Sequence, residues 1–112
     1  MLQPATALRF VKTIHTVVWA VFAGAILAIP VLAWYGFWFS AAALIALVLV
    51  ECLVLVVNRM RCPLTGIAAR YTDDRRDNFD IYLPLWLAKY NKLIFGSLFA
   101  AGLLFTLALW LE

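Results

Sequence analysis

Charged residues are scarce in this sequence, because Asp, Glu, Lys and Arg together make up 13% of its 112 residues. A soluble domain has about 25% charged residues. A soluble chain of this length could not bury in one core the 67% of residues that are apolar here. A lipid bilayer can take up that apolar surface, so the composition predicts an integral membrane protein. The length favours a single membrane domain over residues 1–112.

Residue types that commonly carry catalysis or metal binding are also rare. The sequence has one histidine and two cysteines, so bis-histidine haem ligation within one chain is excluded. It contains no HExxH, CxxC, Walker or EF-hand pattern, and therefore identifies no metal or other cofactor. The basic residues do not alternate with aromatic ones along a stripe, which argues against nucleic-acid binding. An enzyme is accordingly the less favoured interpretation.

Three long apolar runs are present, at about residues 10–34, 38–58 and 93–111. Each has the roughly 20 residues that an α-helix needs to cross a hydrocarbon core about 30 Å thick. Backbone groups in lipid must be hydrogen-bonded within their own segment, so we expect helices. The first run is longer than a signal-peptide core, and we expect it to be retained. The predicted fold is an all-α membrane protein with three transmembrane helices.

Lysine and arginine are distributed unevenly between the two ends of these helices. Arg9 and Lys12 lie near the start of the first run, and the other cations lie in the 59–92 segment. The turn between the first two runs and the C-terminal end have none. The positive-inside rule therefore predicts a cytoplasmic N-terminus, a cytoplasmic loop at about 59–92 and a C-terminus outside. We expect a multi-pass protein of the plasma membrane, which in bacteria is the inner membrane.

The last part of this loop reads "FDIYLPLWLAKYNK" and has an amphipathic pattern. Trp86 and Tyr90 are one helical turn apart, and two lysines of the stretch can reach lipid headgroups. The pattern predicts a short amphipathic interfacial helix in the cytoplasmic loop, leading into the third transmembrane helix. One continuous helix over residues 84–111 is the alternative.

Besides Lys12 near the start of the first run, a histidine and a glutamate fall inside the apolar runs. Glu51 lies about 10 Å from the cytoplasmic end of the second run, and His15 lies at a similar depth in the first. A carboxylate at that depth costs about 2–3 kcal/mol, so it usually faces protein or water. A contact between Glu51 and His15 is geometrically feasible, with Asn58 able to help. Two interpretations stay open: a hydrogen bond that fixes helix register, and a functional pair that responds to protons or binds a ligand.

The cytoplasmic loop carries the remaining candidate site residues. Arginines and aspartates alternate over residues 70–80, and mixed charges at this density favour an internally ion-paired loop. Such a loop is either a solvated, folded cap or a docking surface for a protein or a lipid headgroup. Cys62 follows two arginines, and a disulfide with Cys52 is not expected in a reducing cytoplasm. The loop candidates are Cys62, Thr65, Arg70, Asp73, Asp74, Arg75, Arg76, Asp77 and Trp86.

The motif "CPLT" follows the second apolar run, after a first run with a histidine and a second with an acid. In these features the chain resembles a family of small bacterial integral membrane proteins that share a Cys-Pro-Leu-Thr motif after the second transmembrane helix. The likeness extends loosely to "IYLPLWL" at residues 81–87. The resemblance implies no particular activity, but it implies that His15, Glu51 and residues 62–65 belong to a site.

Three functional hypotheses follow from the sequence. The first is an accessory or structural membrane subunit whose Arg/Asp-rich loop docks a protein partner. The second is a lipid- or quinone-binding, redox-linked module that uses His15 and Glu51. The third is an oligomeric channel or carrier, which the lack of polar residues in the third run makes less favoured. Small residues spaced four apart would allow close helix packing, either within the chain or with a partner chain. These small residues are Ala20, Gly24 and Ala28 in the first run and Gly96 and Ala100 in the third.

Overall fold

A computed structural model describes residues 3–112, and these residues form four helices. The helices are α1 (Pro4–Trp34), α2 (Trp38–Val57), α3 (Pro63–Ala68) and α4 (Leu85–Leu111). The three longer helices, α1, α2 and α4, are long and apolar enough to cross a membrane. The predicted all-α fold with three membrane helices and a further short helix is therefore confirmed.

Two helix boundaries differ from the sequence prediction. Helix α1 begins at Pro4 rather than near residue 10, since proline fits the first turn of a helix and no breaker follows it. Helix α4 is continuous from Leu85, so the amphipathic stretch forms its first turns and is not a separate helix. The short helix is instead α3, which has Pro63 in its first turn. The continuous helix is thus the alternative that the structure adopts.

The helices divide into two compact units. The loop unit comprises the chain up to Ala20 together with Val54–Tyr90, and the helical unit comprises Val21–Leu53 together with Asn91–Glu112. The loop unit buries Ala7 and Val11 from α1, and it also buries Ala68 and Ile81 from the segment that follows α2. Its buried residues thus come from parts of the chain that are far apart in sequence.

The helical unit has an aliphatic and aromatic core. Ile29 of α1 is completely buried, and Val48 of α2 and Phe99 of α4 belong to the same cluster. Near one end, the Trp34 ring stacks on Phe105 with ring centroids 6.3 Å apart. Aromatic pairs of this kind add to the packing energy of their buried area.

Pro30 lies inside α1, and the helix continues past it to Trp34. The neighbouring part of α4 is Gly102, which is buried. A β-carbon placed on Gly102 would lie 3.6 Å from the Pro30 Cδ atom, so α4 approaches the proline ring closely. The proline inside α1 is therefore packed against α4 at Gly102.

Candidate functional site

The loop unit contains a buried carboxylate. Asp80 is only 6% exposed, and it is the one buried polar or charged residue in the described part of the chain. A buried carboxylate is costly unless hydrogen bonds or an ion pair compensate the loss of water. Its contacts therefore indicate which groups organise this unit.

His15 of α1 provides the first of these contacts. Its Nδ1 atom lies 3.0 Å from the main-chain carbonyl oxygen of Asp80 and 3.5 Å from the carboxylate Oδ2. Because a carbonyl oxygen only accepts, the first contact is a hydrogen bond when Nδ1 carries the proton. The neutral imidazole is then the Nδ1–H tautomer, and its Nε2 atom keeps a lone pair.

Thr65 provides the second contact. Its hydroxyl, on the short helix α3, donates a hydrogen bond to the Oδ2 atom of Asp80. A hydrogen bond to a charged group contributes about 1.5–3 kcal/mol, more than a neutral one. The structure thus brings together two residues predicted for the site, His15 and Thr65, through an aspartate that was not among the candidates.

A second link to α1 lies two residues further along the loop. The Tyr82 main-chain N–H donates to the Thr16 hydroxyl oxygen at 3.0 Å, and that hydroxyl donates in turn to the Lys12 carbonyl at 2.7 Å. The Lys12 ammonium lies 4.5 Å from the centre of the Tyr82 ring, within cation–π distance. We call His15, Thr16, Thr65, Asp80 and Tyr82 the anchor cluster, because they attach the loop to α1.

The Arg/Asp stretch carries the ion pair expected from its alternating charges. Arg76 bonds the Asp74 carboxylate through its Nη2 atom at 2.8 Å and also through Nε. The hydrogen bonds from the Arg76 side chain and main chain lower the Asp74 pKa from 3.8 to about 2. The side-chain hydrogen bond between Arg76 and Asp74 also raises the pKa of Arg76.

The neighbouring arginine, Arg75, donates hydrogen bonds to main-chain carbonyl oxygens. Arg75 donates to the carbonyl oxygens of Thr72 and Asp74, each at 2.7 Å, and to that of Ala69 at 3.3 Å. The Asp74 main-chain N–H donates to the Thr72 hydroxyl at 3.1 Å. This part of the loop therefore has its own hydrogen-bonded conformation.

The other predicted site residues lie outside the anchor cluster. Asn58 donates to the Arg61 carbonyl at the end of α2, and Cys62 immediately precedes α3. Glu51 belongs to the helical unit whereas His15 belongs to the loop unit, and their pairing stays a prediction. The exposed candidates are Asn58, Arg70, Asp73, Arg75, Arg76, Asp77 and Trp86. Within the described residues, neither Cys52 nor Cys62 forms a disulfide.

Sequence reasoning missed the central residue of the cluster. Asp80 was counted with the charges of the loop, although it differs from the other aspartates in having apolar neighbours, Phe79 and Ile81. An acidic residue within an apolar stretch is a signal of burial with a partner. The sequence gives no signal that His15, 65 residues away, is that partner.

The chain was also compared with known proteins. No protein-family model, no curated protein and no solved structure matches it significantly.

Proposed function

We propose that this protein is an accessory or structural subunit of a membrane complex, and that its Arg/Asp-rich loop docks a partner protein. The observation that carries the proposal is the anchor cluster. It attaches the loop to α1 through Asp80 and Tyr82, while charged residues of the same loop stay exposed. A surface that is ordered before binding loses less conformational entropy when a partner binds.

The length of α1 supports a position of the anchor cluster at the membrane surface. The helix has 31 residues, about 46 Å, whereas the hydrocarbon core needs about 20 residues. Counting about 20 residues back from Trp34 reaches His15. Residues 4–14, with Arg9 and Lys12, then extend into the headgroup layer and water.

The charge distribution supports a cytoplasmic loop. Lysines and arginines flank the ends of α1, α2 and α4 that adjoin the loop, and the opposite ends have none. The positive-inside rule then places the N-terminus and the loop in the cytoplasm and the C-terminus outside. The corresponding location is the plasma membrane, which is the inner membrane if the protein is bacterial.

The exposed loop surface carries both signs of charge. Arg70, Asp73 and Asp77 are exposed, and Asp74 and Arg76 form an ion pair beside them. Such a surface fits a protein partner with complementary charges, and charge complementarity favours a specific orientation and fast association.

Affinity purification in mild detergent with quantitative mass spectrometry tests this proposal. We expect a stoichiometric protein partner with the wild type, and loss of that partner in a surface variant, Arg70→Gln with Asp77→Asn. A variant of the anchor cluster, His15→Phe, should lose it too. Thr13→Ala is the control, because the exposed Thr13 hydroxyl bonds only the Arg9 carbonyl of its own helix. Recovery of the wild-type chain without any stoichiometric protein would contradict the proposal.

A quinone-binding, redox-linked module is the second candidate, and the state of His15 favours it. The Nδ1 atom is occupied by Asp80, so Nε2 of the neutral ring can accept a hydrogen bond from a hydroxyl of the reduced form, the quinol. The His15 side chain is 13% exposed, so the ring is not fully enclosed. Mass spectrometry of the same purified sample distinguishes the candidates, because a chain without protein partner that retains a quinone supports the module.

A further inference from the structure

The turn that follows α2 has an unusual backbone. Arg59 and Met60 are consecutive residues with positive φ angles, 58° and 63°, and neither is glycine. The Met60 N–H donates back to the Leu55 carbonyl, which closes the end of the helix. Next to it, the Asn58 side chain donates to the Arg61 carbonyl at 2.6 Å. The turn is therefore fixed by hydrogen bonds within itself.

The end of α1 shows how this chain closes a helix with the usual residue. There the left-handed position is Gly36, with φ of 79°, and the Phe37 N–H donates to the Leu32 carbonyl at 2.9 Å. Glycine adopts this conformation without the steric penalty that a β-carbon imposes. Arg59 occupies the equivalent position after α2, so the backbone alone does not favour the residue found there. Strained positions of this kind often carry a functional side chain.

In the part of the chain that the structure describes, the two arginines of this turn have no acidic partner. Within residues 3–112, the ion pairs with carboxylates involve Arg76 and His15, and none involves Arg59 or Arg61. Both guanidinium groups are exposed, and Met60 between them is 48% exposed. The turn thus presents two uncompensated positive charges on either side of an apolar side chain.

The length of α2 places this turn in the headgroup layer. The helix has 20 residues, about 30 Å, which matches the thickness of the hydrocarbon core. When α2 spans this core, residues 58–61 follow it directly and lie at the level of the lipid phosphates. Guanidinium groups bind phosphate oxygens through two parallel hydrogen bonds. We propose that Arg59 and Arg61 bind the phosphate of an anionic phospholipid, with Met60 inserted at the top of the acyl chains.

Native mass spectrometry of the purified full chain, titrated with phosphatidylglycerol or phosphatidylcholine, tests this site. We expect the wild type to bind phosphatidylglycerol more tightly, since the choline group offsets the phosphate charge. Arg59→Gln and Arg61→Gln should each weaken phosphatidylglycerol binding roughly fivefold. Arg70→Gln is the control, because it removes an equally exposed arginine further along the loop, and it should change binding less than about twofold.

Arg59→Gly separates lipid binding from folding. Glycine relieves the left-handed strain, so we expect an unchanged or higher melting temperature together with the same loss of phosphatidylglycerol binding. Wild-type binding by Arg59→Gln and Arg61→Gln would overturn the proposal, and so would an equal loss in Arg70→Gln. Competition by millimolar inorganic phosphate would also overturn it, because the ligand would then be free phosphate. If Arg59→Gly does not fold, Arg61→Gln decides the outcome.

Discussion

His15 contacts Asp80 through two different groups, with Nδ1 3.0 Å from the main-chain carbonyl oxygen and 3.5 Å from the carboxylate. The carbonyl contact requires the loop backbone to lie against α1, whichever side chain occupies position 80. The carboxylate adds a charge that Thr65 also contacts. The histidine therefore determines where the loop lies, and the aspartate side chain attaches α3 to the same point.

Replacing His15 with phenylalanine should detach the loop from α1. The substitution removes the donor to the Asp80 carbonyl and leaves the buried carboxylate with one partner fewer, at a cost of about 1–3 kcal/mol. Hydrogen exchange in bilayers should show faster exchange of the Tyr82 amide, which is bonded to Thr16 in the wild type. His15→Gln keeps an N–H donor and should lose less. Unchanged exchange in His15→Phe would mean that the histidine does not hold the loop.

Thr65 should stabilise the protein through Asp80 and not through its methyl group. Thr65→Val removes the hydroxyl donor, and we expect the free energy of unfolding to fall by about 1.5–3 kcal/mol. Thr65→Ser keeps the hydroxyl and is the matched control. The two residues are coupled, so the double variant Thr65→Val with Asp80→Asn should lose less than the sum of the single losses. Strict additivity in reversible unfolding would contradict this contact.

Asp74 should stay ionised at pH values at which an ordinary aspartate is already protonated. Hydrogen bonds from Arg76 hold its pKa at about 2, below the ordinary 3.8, so this contribution to stability is complete above pH 3.8. It is lost as the pH falls towards 2, when the folded-state carboxylate is protonated. Carboxyl chemical shifts in an NMR titration should show this midpoint.

Arg76→Gln should raise the Asp74 pKa towards 3.8, because it removes the main cause of the shift. Arg75→Gln is the control for charge, since Arg75 contacts the main-chain carbonyl of Asp74 and not its carboxylate. An equal change of the midpoint in both variants would show that general charge, and not the Arg76 hydrogen bonds, lowers the pKa.

Gly102 should accept a methyl group but not a larger side chain. A β-carbon there would lie 3.6 Å from Pro30 Cδ and 3.9 Å from Ile29 Cγ2, which is ordinary van der Waals contact. Gly102→Ala should therefore raise stability by about 0.5–1 kcal/mol, whereas Gly102→Leu overpacks the site and should lower it by about 1–3 kcal/mol. Gly96→Leu is the control, because nothing lies within 4 Å of a β-carbon there. Thermal unfolding in detergent measures all three.

The three long helices were predictable from the sequence because apolar runs of that length have few other stable arrangements. The start of α1 was not, since its first turns carry Thr6 and Arg9 and lack the apolar pattern of a membrane span. Their helical conformation is continuous with the apolar helix that follows them. For α4, the amphipathic pattern predicted a separate interfacial helix, and the continuous helix that forms was the alternative.

The candidate site was predictable only in part. His15 could be selected because a histidine in an apolar run needs a partner, and Thr65 because it lies in the Cys-Pro-Leu-Thr motif. The partner they share, Asp80, depends on how the loop folds back onto α1. Helical spacing along one element cannot predict a contact between residues so far apart in the chain.

The contact between His15 and Asp80 is the central feature of the anchored loop. The chain has a single histidine, so a 15N-labelled imidazole gives one ring that needs no assignment. Solid-state NMR in lipid bilayers can then measure transfer from Nδ1 to 13C-labelled aspartate. We predict a protonated Nδ1 with strong transfer to an aspartate carbonyl carbon. Absence of that transfer, or stronger transfer to labelled glutamate, would contradict the anchored loop.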